Sequence, residues 1–223
     1  MYEFKEIFAQ HGKKQSYRFS MRKNRYLKTL IATLVPLFCL AGQIAFAEEL
    51  LQQTPADYEG PFYPVTKQED IDNDLVHIKG QTGIARGDIL NLSGIVVNTR
   101  GEAQKNVTIE IWQTDPEGRY KHPGDSALGA RDPNFQYWGA AVTGPDGTYY
   151  FKTIVPGSYE PRPAHIHFKV LKAGKVILTS QIYFREPSLE SKRFSLTPKT
   201  ELQTVELKKM GNGEFQAYFR IVI

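Results

Sequence analysis

The sequence predicts an all-β protein, a single-domain β-sandwich with long loops, and three observations carry that reading. Apolar and polar residues alternate with period 2 through many short segments between Leu90 and Val222. Strings rich in Gly and Pro separate those segments. No amphipathic helix of ordinary length interrupts them. Short strands punctuated in this way bury one face each by packing as two facing sheets.

Taken in order, residues 48–74 read as an irregular N-terminal arm. Pro55, Pro61 and Pro64 disfavour both helix and central strand there, and the last two frame the compact string Glu59-Gly60-Pro61-Phe62-Tyr63-Pro64. Residues 75–223 form the sandwich. Strands rich in Val, Ile, Phe and Tyr are expected at Leu90–Val97, Val107–Trp112, Thr148–Ile154, Ile166–Val170, Val176–Phe184 and Phe215–Val222. Turns are expected at Thr99-Arg100-Gly101, Gly144-Pro145-Asp146-Gly147, Pro156-Gly157 and Ala173-Gly174, and a single helical turn within Pro187–Ser195. There is no internal repeat, low-complexity tract or second domain.

The charge is unevenly spread. The chain has a formal net charge of +4, but Met1–Ala47 alone holds eight basic and two acidic residues, which leaves −2 for residues 48–223. Arg22, Lys23, Arg25 and Lys28 precede the apolar run Leu30–Ala41, and Ala45-Phe46-Ala47 supplies small residues for a peptidase. This is the pattern of a secretory signal peptide, cleaved after Ala47. The run is shorter than the ~20 residues needed to span a bilayer. Met21 offers a second start, with Met1–Ser20 as an upstream extension. The expectation is a secreted or periplasmic body, free of membrane once the signal is removed and without the basic surface that nucleic acid requires. The single cysteine, Cys39, leaves with the signal. A cysteine-free body has no disulfide, no thiolate zinc site and no iron–sulfur cluster, so any metal must be held by nitrogen and oxygen.

Arg162-Pro163-Ala164-His165-Ile166-His167-Phe168-Lys169-Val170 is the segment richest in chemistry. On a strand, Ile166, Phe168 and Val170 face the core while His165 and His167 share the other face, with Cα atoms ~7 Å apart at ~3.3 Å per residue. Two imidazoles so placed can converge on a cation. Two histidines on an exposed strand face equally need no ligand, and the pattern names no metal. By the same alternation Trp112 lies opposite Val107, Ile109 and Ile111, so it either walls a site or sits at the rim. Among the 12 tyrosines, spacing alone singles out none.

Ile109-Glu110-Ile111-Trp112-Gln113 followed by Gly118-Arg119-Tyr120-Lys121-His122 resembles the first signature of the intradiol ring-cleavage dioxygenases. So do Asp132-Pro133-Asn134-Phe135, Asp146-Gly147-Thr148-Tyr149-Tyr150-Phe151, Pro156-Gly157-Ser158-Tyr159 and the Arg162–Phe168 segment. Gln181-Ile182-Tyr183-Phe184 and Tyr218-Phe219-Arg220-Ile221-Val222 complete an ordered series over Glu59–Ile223 that is most similar to the protocatechuate 3,4-dioxygenase branch. The resemblance implies a prealbumin-like sandwich whose loops surround one mononuclear, non-haem Fe(III) per chain, held by Tyr120, Tyr159, His165 and His167. It implies insertion of O₂ between the two hydroxyl-bearing carbons of a catecholic substrate, giving a cis,cis-muconate-type diacid. Tyr159 is the ligand expected to yield to the catechol and take up its proton. Arg162 is expected beside the ring, with Gln181, Tyr183 and Trp112 lining the pocket. A phenol with pKa ~10 ligates only where a hard, highly charged cation stabilises its anion, and ferric iron does so.

The chain departs from the protocatechuate-type pattern after Tyr159. The usual Pro-Trp dipeptide and several further residues are missing, and Glu160-Pro161 leads directly to Arg162. Export, and the lack of the long helical N-terminal region of catechol 1,2-dioxygenases, are further departures. Two other readings stand beside the enzyme. Gly94–Tyr159 also resembles the transthyretin-like modules that bind ligands or stiffen secreted proteins without catalysis, and a metal in this site could serve storage or structure. The full ligand set within one chain needs no partner subunit. The oligomeric state stays open, a homo-oligomer included.

Overall fold

A computed structural model describes residues 49–66, 69–185 and 197–223. The expected signal peptide and the helical turn within Pro187–Ser195 lie outside the described residues. Nine strands follow one another: β1 (Ile89–Val97), β2 (Val107–Gln113), β3 (Trp138–Val142), β4 (Thr148–Ile154), β5 (His165–Lys172), β6 (Lys175–Phe184), β7 (Thr204–Val205), β8 (Lys208–Lys209) and β9 (Phe215–Val222). Among the described residues one short helix, α1 (Pro198–Glu201), starts at Thr197, whose side chain accepts from the Thr200 N–H. Among the described residues no helix is long and apolar enough to cross a membrane.

The strands form two sheets, one ordered β4-β1-β9-β8 and the other β3-β2-β5-β6-β7. Alternation fixes which side chains meet between them. Leu90, Leu92 and Val96 of β1, Phe151 of β4 and Phe219 and Ile221 of β9 pack with Ile109 and Ile111 of β2, Ile166, Phe168 and Val170 of β5 and Ile182 of β6. The Phe168 and Phe219 rings meet edge to face at 5.6 Å across the sandwich. The all-β sandwich expected from the sequence is therefore present, and all six expected strands form with ends shifted by no more than two residues. Strand β3 was not expected. Its Gly139-Ala140-Ala141 carries little β propensity, and it forms because β2 pairs with it from Thr108↔Val142 to Trp112↔Trp138.

The five-stranded sheet buries its outer face as well as its inner one. Residues 165–170 of β5 are all buried, on both faces. The N-terminal arm supplies the cover. It is pinned through Thr54 N–H to Val222 O (3.0 Å), Asp57 N–H to Thr179 O (2.9 Å) and the Ser180 hydroxyl to Pro55 O (2.7 Å).

Two loops leave the same end of the sandwich and bear on each other. After β2, the fully buried Asp115 closes a tight turn: it accepts from the N–H groups of Glu117 and Arg119, and its other carboxylate oxygen takes the Tyr137 hydroxyl (3.0 Å). After β4, Gly157 donates its N–H to Asp115 O (3.0 Å) and accepts from the Thr114 hydroxyl (2.8 Å). The contact is close enough that a Cβ on Gly118 would lie 2.4 Å from Ser158 O, and Gly118 also needs a φ of +78°. Tyr120 and Tyr159 sit on these two loops, so the glycine contact sets their separation. Gly118→Ala is expected to destabilise by on the order of 2–4 kcal/mol, from left-handed backbone and overpacking together. Gly211→Ala, where a Cβ meets nothing within 4 Å, should leave stability almost unchanged; urea denaturation of both variants checks the contrast.

Candidate metal centre

β5 places two imidazoles on the covered outer face, and the register of its neighbours surrounds them. His165 pairs with Tyr183 of β6, and His167 pairs with Gln181 of β6 and with Trp112 of β2. The Nε2 atoms of His165 and His167 approach to 3.0 Å, and the Tyr120 hydroxyl lies 3.3 Å from His165 Nε2. Tyr159 completes the cluster, its ring centroid 5.7 Å from that of His165 and 5.8 Å from that of Tyr120. All four residues singled out through the family resemblance thus come together, from three separate segments.

The backbone of Tyr120 is held on both sides. Its N–H donates to Asp125 and its carbonyl accepts from Arg131 Nε (2.6 Å), while Arg131 also donates to the carbonyls of His122 and Asp125. Phe62 of the arm stacks on the Tyr120 ring at 4.7 Å and meets Tyr159 edge-on at 6.5 Å. Tyr120 is buried and Tyr159 half-buried.

Burial sets the charge states. It pushes the His165 imidazolium down to about 4, and holds His167 well below the ordinary histidine range, reinforced by His165 and then Arg162. Burial likewise raises Tyr120 well above the usual phenol range, with Tyr159 adding to the effect, and burial raises Tyr159 too. By itself the protein keeps two neutral imidazoles and two neutral phenols here. His165 Nδ1–H donates to Pro163 O at 2.7 Å, which fixes the tautomer and leaves a bare lone pair on Nε2. His167 Nδ1 is buried without a partner. Polar atoms this close together, on imidazoles that burial keeps neutral, suit a cation at their centre. Among the described residues no group of three His, Cys, Asp or Glu side chains converges, and here the two imidazoles are joined by two phenols. The donor set fits a hard, highly charged ion.

Arg162 points its guanidinium at β6, donating to Gln181 Oε1 and to the Tyr183 hydroxyl (3.2 Å). Its Nε is buried and unpartnered, and among the described residues no carboxylate forms an ion pair with it. The Tyr183 hydroxyl also lies 3.3 Å from Asp57 Oδ2, and Gln181 donates to Tyr58 O (2.6 Å). Trp112 is fully buried and stacks on His167, centroids 4.9 Å apart and planes within 8°. It is an inner wall and not a rim residue, as strand alternation allowed. Reading the residues in isolation missed Phe62, Gly60 and Tyr63 of the arm and Asp115 behind the turn. Only the density of Gly, Pro and aromatics in Glu59–Pro64 hinted at the first three.

Comparison with known proteins agrees with this geometry. The Dioxygenase family model (Dioxygenase_C) matches residues 58–217. The chain is 30% identical to the protocatechuate 3,4-dioxygenase beta chain of Burkholderia cepacia, over 76% of this chain and 80% of that one. It is 31% identical to a chlorocatechol 1,2-dioxygenase of Cupriavidus pinatubonensis, but spans only 42% of that protein's length. Among solved structures, the dioxygenase domain of a carbohydrate-binding fusion protein from Streptomyces sp. SirexAA-E superposes with a TM-score of 0.58 at 27% identity, covering 77% of this chain and 98% of that one. A β-sandwich with phenols and imidazoles converging at one end, matched over most of its length by this family, is an aromatic ring-cleavage oxidoreductase: the chain belongs to the intradiol ring-cleavage dioxygenases.

Proposed function

We propose that this enzyme uses one non-haem Fe(III), held by Tyr120, Tyr159, His165 and His167, to insert O₂ between the two hydroxyl-bearing carbons of a catechol. The product is a cis,cis-muconate-type diacid. The observation that carries the reading is the convergence on His165 Nε2 of the Tyr120 hydroxyl (3.3 Å) and His167 Nε2 (3.0 Å), with Tyr159 alongside. Bound ferric iron would supply the Lewis acidity that makes a catecholate reactive toward O₂.

The chain's own groups do the remaining work. Tyr159, the less buried of the two phenols, would be the one to leave the cluster, and its oxygen would take a catechol proton. The Arg162 cation, fixed by Gln181 and Tyr183 and lacking a carboxylate partner, faces negative charge that develops on the ring. Phe62 and the rest of the arm cover the cluster and limit water. The non-enzymatic module considered from the sequence needs none of this arrangement.

Residues 1–47 are proposed as an export signal removed after Ala47, supported by their basic-then-apolar pattern and small-residue end. The mass of the mature chain recovered from outside the cytoplasm would test it, with a chain starting at Glu48 expected.

Tyrosinate-to-iron charge transfer should colour the iron-loaded protein burgundy. A preparation that stays colourless after anaerobic loading and reoxidation would sink the ferric reading. Tyr159→Phe and His165→Ala should each shift the band and lower catechol-dependent O₂ uptake by about 10² or more. Arg162→Ala should keep the colour yet lower kcat by about 10²–10³, measured by O₂ uptake across catechol, protocatechuate, hydroxyquinol, gallate and chlorinated catechols.

A further inference from the structure

The two histidines are oriented by different means. His165 is locked by its Nδ1–H bond to Pro163 O, whereas His167 Nδ1 is buried with no partner. Metal-binding imidazoles usually owe their ring plane to a hydrogen bond at the second nitrogen. His167 has packing instead. Trp112 stacks on one face, and Gly60 comes so near that a Cβ there would lie 3.3 Å from His167 Cε1.

The Gly60 contact, and the Tyr63 ring that backs Trp112, depend on how the arm is held, and Lys169 holds it. Lys169 is two residues beyond His167 on the same face of β5 and only 8% exposed. Its Nζ lies 2.9 Å from the Glu59 carboxylate and 3.3 Å from the centre of the Tyr63 ring. Tyr63 in turn meets Trp112 edge-on at 5.0 Å and donates its hydroxyl to Glu110 (2.7 Å), the residue paired with Lys169 across β2. One ammonium therefore grips the arm on either side of Gly60-Pro61-Phe62, pressing Tyr63 on Trp112 and Gly60 on His167.

We propose that Lys169 is a positioning residue for His167. Through Glu59 and Tyr63 it clamps the arm, and the clamped arm sets the plane of an imidazole whose Nδ1 has no hydrogen-bond partner among the described residues. The inference rests on the proposed role of His167 as a metal ligand, but its first test needs no metal.

In the metal-free protein, the His167 ring proton signals should lie upfield of those of exposed histidines because of the Trp112 stack. Carbon–proton NMR of histidine-labelled protein should show them moving back toward exposed positions in Lys169→Met, with His165 unmoved, and largely restored in Lys169→Arg. Iron-loaded Lys169→Met should then bind Fe(III) about tenfold or more weakly, with a displaced charge-transfer band and a loss in kcat larger than any change in KM. Glu59→Gln should move the His167 signals in the same direction by a smaller amount, and it decides the matter if Lys169→Met does not fold. A folded Lys169→Met with wild-type His167 signals, or an unmoved Glu59→Gln in the absence of foldable Lys169→Met, overturns the proposal. If the wild-type protein takes up no iron, the ferric reading fails while the metal-free NMR comparison still decides the role of Lys169.

Discussion

Burial of β5 on both faces is the constraint from which the rest of this structure follows. A strand covered on one side alternates apolar and polar residues, and the polar ones meet water. Here the polar set His165, His167 and Lys169 is covered as completely as the apolar set Ile166, Phe168 and Val170. Buried polar groups destabilise a fold unless each finds a partner. The outer face is accordingly organised around them: Lys169 takes Glu59 and two aromatic rings, His165 takes Pro163 O, and Gln181 takes Tyr58 O. At the centre the two Nε2 atoms and the Tyr120 hydroxyl have one another as partners, and His167 Nδ1 has none among the described residues. Such a cluster suits a bound cation.

The cover that creates this situation is irregular backbone, and it is held at fixed points. The arm borrows hydrogen bonds from β9 and β6, runs over His167 and places Phe62 against Tyr120. From the opposite side, the turn closed by Asp115 carries Tyr120 and rests on the Gly157 loop that carries Tyr159. The site is thus assembled from a rigid strand and three loops, each tied to the sandwich by bonds outside the site. Geometry at the cluster depends on side chains that never reach it, as expected of preorganised centres.

Alternation made much of this legible in the sequence. It placed Ile166 and Phe168 in the core, and put Trp112, Gln181 and Tyr183 on the histidine face, where the strand register now sets them directly opposite His167 and His165. Periodicity fails where the backbone is not a strand or the residues are small. Gly139-Ala140-Ala141 form β3 because β2 offers an edge, a tertiary cause that no local pattern records. Asp115 lies just past the end of β2, outside any periodic segment, and it is fully buried beneath four hydrogen-bond donors that converge from the turn and from Tyr137. Tyr120 and Tyr159 had to be found by resemblance, since a phenol on a loop carries no period. The arm was recognised as irregular, but its role in orienting His167 depends on contacts more than a hundred residues away in sequence.

The shortened loop after Tyr159 explains why two similar phenols should behave differently. With only Glu160 and Pro161 between them, Tyr159 and Arg162 exchange backbone hydrogen bonds, Tyr159 N–H to Arg162 O at 3.2 Å and Arg162 N–H back to Tyr159 O. Arg162 is fixed by Gln181 and Tyr183 on β6, and three residues later the chain is already β5. The backbone at Tyr159 therefore has little freedom, so any departure of its phenol from the cluster must be a side-chain rotation. Half-exposure leaves space for that rotation. Tyr120 has no equivalent space: Asp125 and Arg131 clamp its backbone, and Phe62 covers its ring. Tyr159 would turn about a backbone tied to Arg162, so the point about which its phenol rotates stays fixed relative to the Arg162 backbone. A loop that looks merely truncated in sequence thus ties the backbone of the more exposed phenol to that of the fixed arginine, an arrangement that would serve the proposed proton transfer beside a developing anion.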